Sequence, residues 1–224
     1  HVKFNIYYIY FMLKEKMMTV ENVKVFFDYT CPWVRQAGFW LIDLEEKSQI
    51  DITWKPFLLE QINSENNEDW NAWDQDLNEY VSRGIWPHLG GIAARNISKD
   101  AGYKYMKAIF EDKHIERKDV RSRDYIVDLS KKLNIYSNKF INDIDSSKSL
   151  DMISASHIEA DQKGIFGTPT IEFSDQNTVF LKTFTPPGED SIEFFEALKI
   201  LSTNNTYFGE LKKPQPPWPK QHQI

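Results

Sequence analysis

Cysteine is almost missing from this chain: one residue, Cys31, in 224. An intramolecular disulfide is therefore excluded, and folding needs no oxidising compartment, so the expected location is the cytoplasm. Positive charge is also in short supply. The 27 Lys and Arg against 33 Asp and Glu leave a net charge of -6, and no Lys/Arg cluster interleaved with aromatics compensates locally, which argues against a nucleic-acid partner. Long apolar runs are missing too. Residues 4 to 13 (Phe4 to Leu13) have the length of a signal-peptide core, but Lys14-Glu15-Lys16 follows, no small-residue cleavage site is visible, and the run is too short to span a bilayer. No membrane partner is expected. The nine glycines form no phosphate-cradling loop, and one cysteine with five scattered histidines offers no zinc-ligand spacing. No metal and no bound cofactor are expected.

What the chain does have is aromatic side chains: 15 Phe, 10 Tyr and 7 Trp, which must be buried or line a site. Residues 1–17 read as an upstream or appended extension, with Met17 or Met18 as the natural start; the competing reading is a short membrane-associating or oligomer-forming segment. Residues 23–29 are rich in β-formers and read as a buried strand. Residues 31–47 follow as a helix with Ala37, Trp40, Leu41 and Leu44 on one face, and residues 51–57 as a second strand. Strand, helix and strand in that order predict a right-handed βαβ unit and a parallel pair.

From residue 68 to residue 163 the pattern is helical. Trp70, Trp73 and Leu77 recur at helical spacing, as do Ile92-Ala93-Ala94, Tyr105, Ile109 and Phe110. Helices are predicted over 124–133, 137–144 and 149–163, the last ending at Gly164. A strand at 170–173, another at 179–184 and a helix at 190–201 close the fold. The proline-rich tail around Trp218 predicts an extended strap that docks through that ring. The domain plan is 18–67 and 164–224 around a helical insertion at 68–163.

Two motifs carry chemistry. Cys31 lies where the first strand runs into the first helix, and Pro32 suits the first helical position. There the unsatisfied amides and positive dipole end favour a thiolate. Arg35, one turn on, would add to that, and Asp28 would oppose it. Val34 stands where a Cys-x-x-Cys partner would be, so Cys31 has no internal resolving thiol. Gly167-Thr168-Pro169-Thr170 opens a strand directly after a helix end, a plausible place for a cis peptide that leaves the Thr168 N–H and C=O to pair with an extended substrate. His157 and His114 are the candidate acid–base helpers; His88 reads as a loop residue, and Glu45-Glu46 and Asp69, Asp74 and Asp76 as solvated helix faces.

With Phe27-Asp28-Tyr29-Thr30-Cys31-Pro32-Trp33, Trp54-Lys55-Pro56-Phe57, Leu59-Glu60-Gln61-Ile62-Asn63 and Gly164-Ile165-Phe166-Gly167-Thr168-Pro169-Thr170, the chain resembles the DsbA-like branch of the thioredoxin superfamily over about residues 22 to 220. The FrnE-like proteins belong to that branch. The kappa-class glutathione transferases and 2-hydroxychromene-2-carboxylate isomerases are more distant members. The resemblance implies an α/β thioredoxin fold with an inserted all-helical subdomain. It also implies Cys31 as attacking thiol, with Pro32, Trp33, Thr168 and Pro169 facing substrate. Typical members have Cys-Pro-x-Cys, so a dithiol cycle is not expected. Three readings follow. One is a monothiol oxidoreductase that forms a mixed disulfide with glutathione, another low-molecular-weight thiol or an extended peptide. The second is a glutathione-dependent isomerase or transferase, although its relatives carry serine where Cys31 stands. The third is a non-catalytic module that keeps the groove for a partner. The aromatic supply would permit a homodimer.

Overall fold

The computed structural model describes residues 21–47, 50–66, 69–203, 207 and 209–210. The expectations for residues 1–17 and for the tail around Trp218 lie outside the described residues. Strand β1 (Glu21–Phe27), helix α1 (Pro32–Lys47) and strand β2 (Ile50–Pro56) form the βαβ unit, with β1 and β2 parallel from Glu21 opposite Ile50 to Phe27 opposite Pro56. The second half of β1, Val25-Phe26-Phe27, is a continuous apolar run because both faces of the strand are covered there. Phe26 packs with Phe57, Ala160 and Ile165 on one side, while Val23, Val25 and Phe27 join the main core on the other.

Strand β3 (Thr170–Glu172) runs antiparallel to β1, and β4 (Thr178–Phe180) antiparallel to β3, so the sheet order is β2-β1-β3-β4. The last strand is shorter than the 179–184 run predicted. After Leu181 N–H bonds the Pro169 carbonyl at 2.9 Å, the chain leaves the sheet, and the Thr185 hydroxyl donates to the Gln36 carbonyl on α1 at 2.9 Å.

Between β2 and β3 the regular structure is helical: α2 (Leu59–Ile62), a 3-10 turn (Ala72–Asp74), α3 (Ile85–Ile97), α4 (Lys99–Phe110), a π-turn (Glu111–Ile115), α5 (Arg123–Lys132), α6 (Asn138–Ile144) and α7 (Ser147–Gln162). Helix α8 (Ser191–Thr203) follows the sheet. The helical spacing of Trp70, Trp73 and Leu77 does not produce an α-helix. Side chains there satisfy the backbone locally instead: Gln61 bridges the Trp70 carbonyl and the Ala72 N–H at 2.9 and 2.8 Å, and Asp76 Oδ1 accepts from the Asn78 N–H at 2.9 Å. Such bonds compete with the helical ladder.

Serine hydroxyls cap four helices, with Ser98, Ser122, Ser137 and Ser146 accepting from the N–H groups of Ala101, Tyr125, Phe140 and Lys148. At the other end of α7, Gly164 takes φ 68°, and its N–H and that of Ile165 close on the carbonyls of Asp161 and Ala160 at 2.8 and 3.0 Å. Glu45 is not the solvated residue that the sequence suggested. It is buried, accepts the Ile52 N–H at 2.7 Å and the Tyr103 hydroxyl, and pairs with Lys99 at 2.7 Å, tying α1 to β2 and α4. One hydrophobic cluster contains Val25 and Phe27 of the sheet, Trp40 of α1, and Ile92, Phe110, Phe140 and Ile153 of the helical segment. Sheet and helices thus share a core.

Candidate active site

The turn that follows β1 is held by a buried carboxylate. Asp28 Oδ1 accepts the Thr30 N–H and Oδ2 the Leu59 N–H, both at 2.7 Å, and the Asp28 carbonyl accepts the Cys31 N–H at 3.0 Å. Burial pushes the Asp28 carboxyl upward, against the pull of those amides. The Cys31 carbonyl accepts from Val34 and Arg35 at 3.1 and 3.3 Å, which puts Cys31 at the N-cap of α1 and Pro32 at its first position. Gly91 of α3 lies so close behind this turn that a Cβ there would meet the Tyr29 hydroxyl oxygen at 2.3 Å.

From the far end of the chain the Thr168–Pro169 loop closes over the sulfur. Its peptide bond is cis, and Cys31 Sγ donates to the Thr168 carbonyl at 3.3 Å. The sequence reading left that carbonyl free for substrate; here the thiol occupies it. The Thr168 hydroxyl is buried and has no hydrogen-bond partner. Cys31 is only 5% exposed, and burial pushes its thiol up. Thr168 and the Val34 and Trp33 amides pull the other way, and Asp28 adds to the rise. The net direction is opposite to the one expected from a helix start, because depth outweighs the dipole.

Aromatic residues stand two positions from each partner of that contact in the chain, Trp33 after Cys31 and Phe166 before Thr168. Trp33 lies 5.7 Å from Phe184, and Phe166, 68% exposed, lies 5.1 Å from Phe180. Thr168, Val34, Trp33 and Asp28 act on the Cys31 sulfur, and the expected helpers Arg35, His157 and His114 make their hydrogen bonds elsewhere. Arg35 Nη2 donates to Glu111 at 2.8 Å, with its guanidinium 5.3 Å from the Phe39 ring. His157 Nδ1 accepts the Leu58 N–H at 3.1 Å; its ring lies against Phe57 and Trp73, and burial pulls it down to about 4. His114 Nε2 meets the Tyr29 carbonyl at 2.9 Å. His88, read as a loop residue, sits in α3 beside the Phe27 and Tyr29 rings, and burial pulls it down to about 3. All three histidines are buried, and burial pulls each of them down.

Sequence reasoning missed the segment 111–121, which docks on both flanks of the Cys31 turn through His114 to Tyr29 and Glu111 to Arg35. The signal available was the local run of Lys113, Arg117, Lys118 and Arg121 in an acidic chain. Among the described residues no three His, Cys, Asp or Glu side chains could jointly hold a metal ion, and no helix is long and apolar enough to cross a membrane.

A cysteine at a helix start under a cis-proline loop, on a mixed sheet carrying a helical insertion between its parallel and antiparallel halves, defines a thioredoxin fold of the DsbA type. No protein-family profile and no curated protein matches the chain, but solved structures do. The cytosolic disulfide reductase DsbM from Pseudomonas aeruginosa, solved with GSH, superposes with a TM-score of 0.58 at 15% identity, covering 79% of this chain and 98% of that one. The thiol-disulfide exchange protein alpha-DsbA2 from Wolbachia pipientis gives 0.54 at 15% identity, covering 81% and 83%. A 2-hydroxychromene-2-carboxylate isomerase gives 0.55 at 14% identity, covering 80% and 95%. The chain has the fold of the DsbA-like thiol-disulfide oxidoreductases.

Proposed function

We propose that the protein is a monothiol thiol-disulfide exchange enzyme that works through Cys31. The observation that carries this reading is the 3.3 Å contact between Cys31 Sγ and the Thr168 carbonyl beside the cis Thr168–Pro169 bond, on a DsbA-type fold. The thiol first gives its proton to solvent. The thiolate then attacks one sulfur of a disulfide RSSR, forming a Cys31–S–S–R bond and releasing RS⁻. Val34 leaves no internal thiol to break that bond, so a second external thiol attacks it and regenerates the Cys31 thiolate with a new external disulfide. Glutathione or another low-molecular-weight thiol is the co-substrate, which suits a reducing compartment such as the cytoplasm. Pro32, Trp33, Thr168 and Pro169 line the approach, with Trp33 and Phe166 supplying apolar contact on either side.

The test is incubation of the folded protein with glutathione disulfide, read by intact mass. One glutathione per chain, lost on adding free thiol and not formed by Cys31→Ser, is the expected result; a parent protein that stays unmodified while its denatured form reacts would overturn it. That second outcome favours a non-catalytic binding module, a reading supported by the near-complete burial of Cys31 and the upward push on its thiol.

A further inference from the structure

An open cavity of about 300 Å3 lies between the loop that leads into α3 and the segment after the π-turn, lined by Arg83, Lys113, Arg117, Lys118, Asp119 and Arg121. Five cations against one carboxylate is a local reversal of sign in a chain of net charge -6. Two of the five are neutralised: Lys118 Nζ lies 2.5 Å from Asp112, and Arg121 Nη2 lies 2.8 Å from Asp119. Arg83, Lys113 and Arg117 form no ion pair among the described residues. Three cations without an ion-pair partner, of which Lys113 still feels Asp119, focus a positive potential out of one concavity, and the forked donors of two arginines match carboxylate or phosphate oxygens.

Three sets of short contacts lead from the cavity lining or its chain neighbours to the Cys31 turn. His114, next to Lys113, meets the Tyr29 carbonyl two residues before Cys31, and Glu111 holds Arg35 one turn after it. The Arg83 N–H bonds Glu60 at 2.7 Å, and the neighbouring Leu59 N–H bonds Asp28 at 2.7 Å. The same short contacts that shape the Cys31 turn therefore fix the rim of the cavity.

We infer that this cavity binds the anionic end of the thiol or disulfide exchanged at Cys31, so that the substrate class is a carboxylate- or phosphate-bearing low-molecular-weight thiol. This rests on the exchange reading above and adds where the anionic end of the exchanged thiol is held. The test uses Cys31→Ser protein and two probes that cannot exchange, S-methylglutathione for carboxylates and desulfo-coenzyme A for phosphates, followed by calorimetry. One probe binds, its affinity falls with added salt, and it falls at least tenfold when Arg83, Lys113 and Arg117 are all changed to Gln. The salt series on the unaltered cavity needs no variant to fold. The probe that binds identifies the anion. Binding of neither at millimolar concentration, or affinity indifferent to both salt and the triple change, would overturn the inference. Probe binding lost with the three cations, in a protein whose Cys31 never forms a mixed disulfide, would sink the exchange reading while leaving the anion site in place.

Discussion

At Cys31 two opposing influences meet within one residue's reach. Burial holds the thiol protonated, and Thr168 and the Trp33 and Val34 amides favour its loss of that proton. Alkylation of the folded protein should therefore accelerate with pH to a half-point above the ordinary thiol value of about 8.5. Thr168→Val keeps the carbonyl and removes the hydroxyl. The hydroxyl has no partner while the thiol is protonated and can turn to donate to the thiolate, so that half-point should rise in the variant; an unchanged profile would take the hydroxyl out of the argument. The buried histidines set a different pH dependence. His88 and His157, pulled down to about 3 and 4, take up protons near pH 6.5 once the chain unfolds. In that interval the unfolded state binds more protons, so stability is full above about pH 6.5 and is lost as pH falls through 4 towards 3. Asp28, pushed up by burial, has the opposite sign and partly offsets the loss. Urea midpoints measured from pH 7 to pH 3.5 should fall. His88→Leu should shrink that fall by roughly 4 kcal/mol at most, and an equally steep fall in the variant would count against it.

At the scale of elements, Gly164 ends α7 in the left-handed region with its φ at 68°. Gly164→Ala should cost about 1 kcal/mol by chemical denaturation, with no effect on thiol reactivity. A change of the same size in reactivity would mean that this turn positions Thr168. Elements with one strong periodicity were legible in the sequence: the apolar β1, the Pro32 start of α1, the parallel β2, and helices α5, α6 and α7 to within two residues. The thiol and the Thr168–Pro169 loop were legible as a pair because Cys-Pro and Gly-Thr-Pro are punctuation with a backbone meaning. What was not legible depended on groups distant in sequence. Gln61 and Asp76 divert the Trp70–Leu77 stretch from a helix, Gln36 draws the chain after β4 off the sheet, and Lys99 with Tyr103 makes Glu45 a buried carboxylate. The depth of Cys31 is likewise a property of the loop that closes over it, not of the residues around it in the chain.

Across the whole molecule, the helical segment has no core of its own. Ile92, Phe110, Phe140 and Ile153 belong to the same cluster as Val25, Phe27 and Trp40, so sheet and helices should unfold together. Urea transitions followed by tryptophan fluorescence and by far-UV circular dichroism should coincide; separated midpoints would mean that the two parts are independent. That joint closure also bears on how the protein is made. Cys31 and its cover at Thr168 stand 137 residues apart. At about 5–20 residues per second of synthesis, the thiol leaves the ribosome roughly 7–30 s before the carbonyl that will accept its hydrogen bond exists. Throughout that interval it is an uncovered cysteine with nothing in its own chain to oxidise against, and only completion of the last strands converts it into a sheltered one.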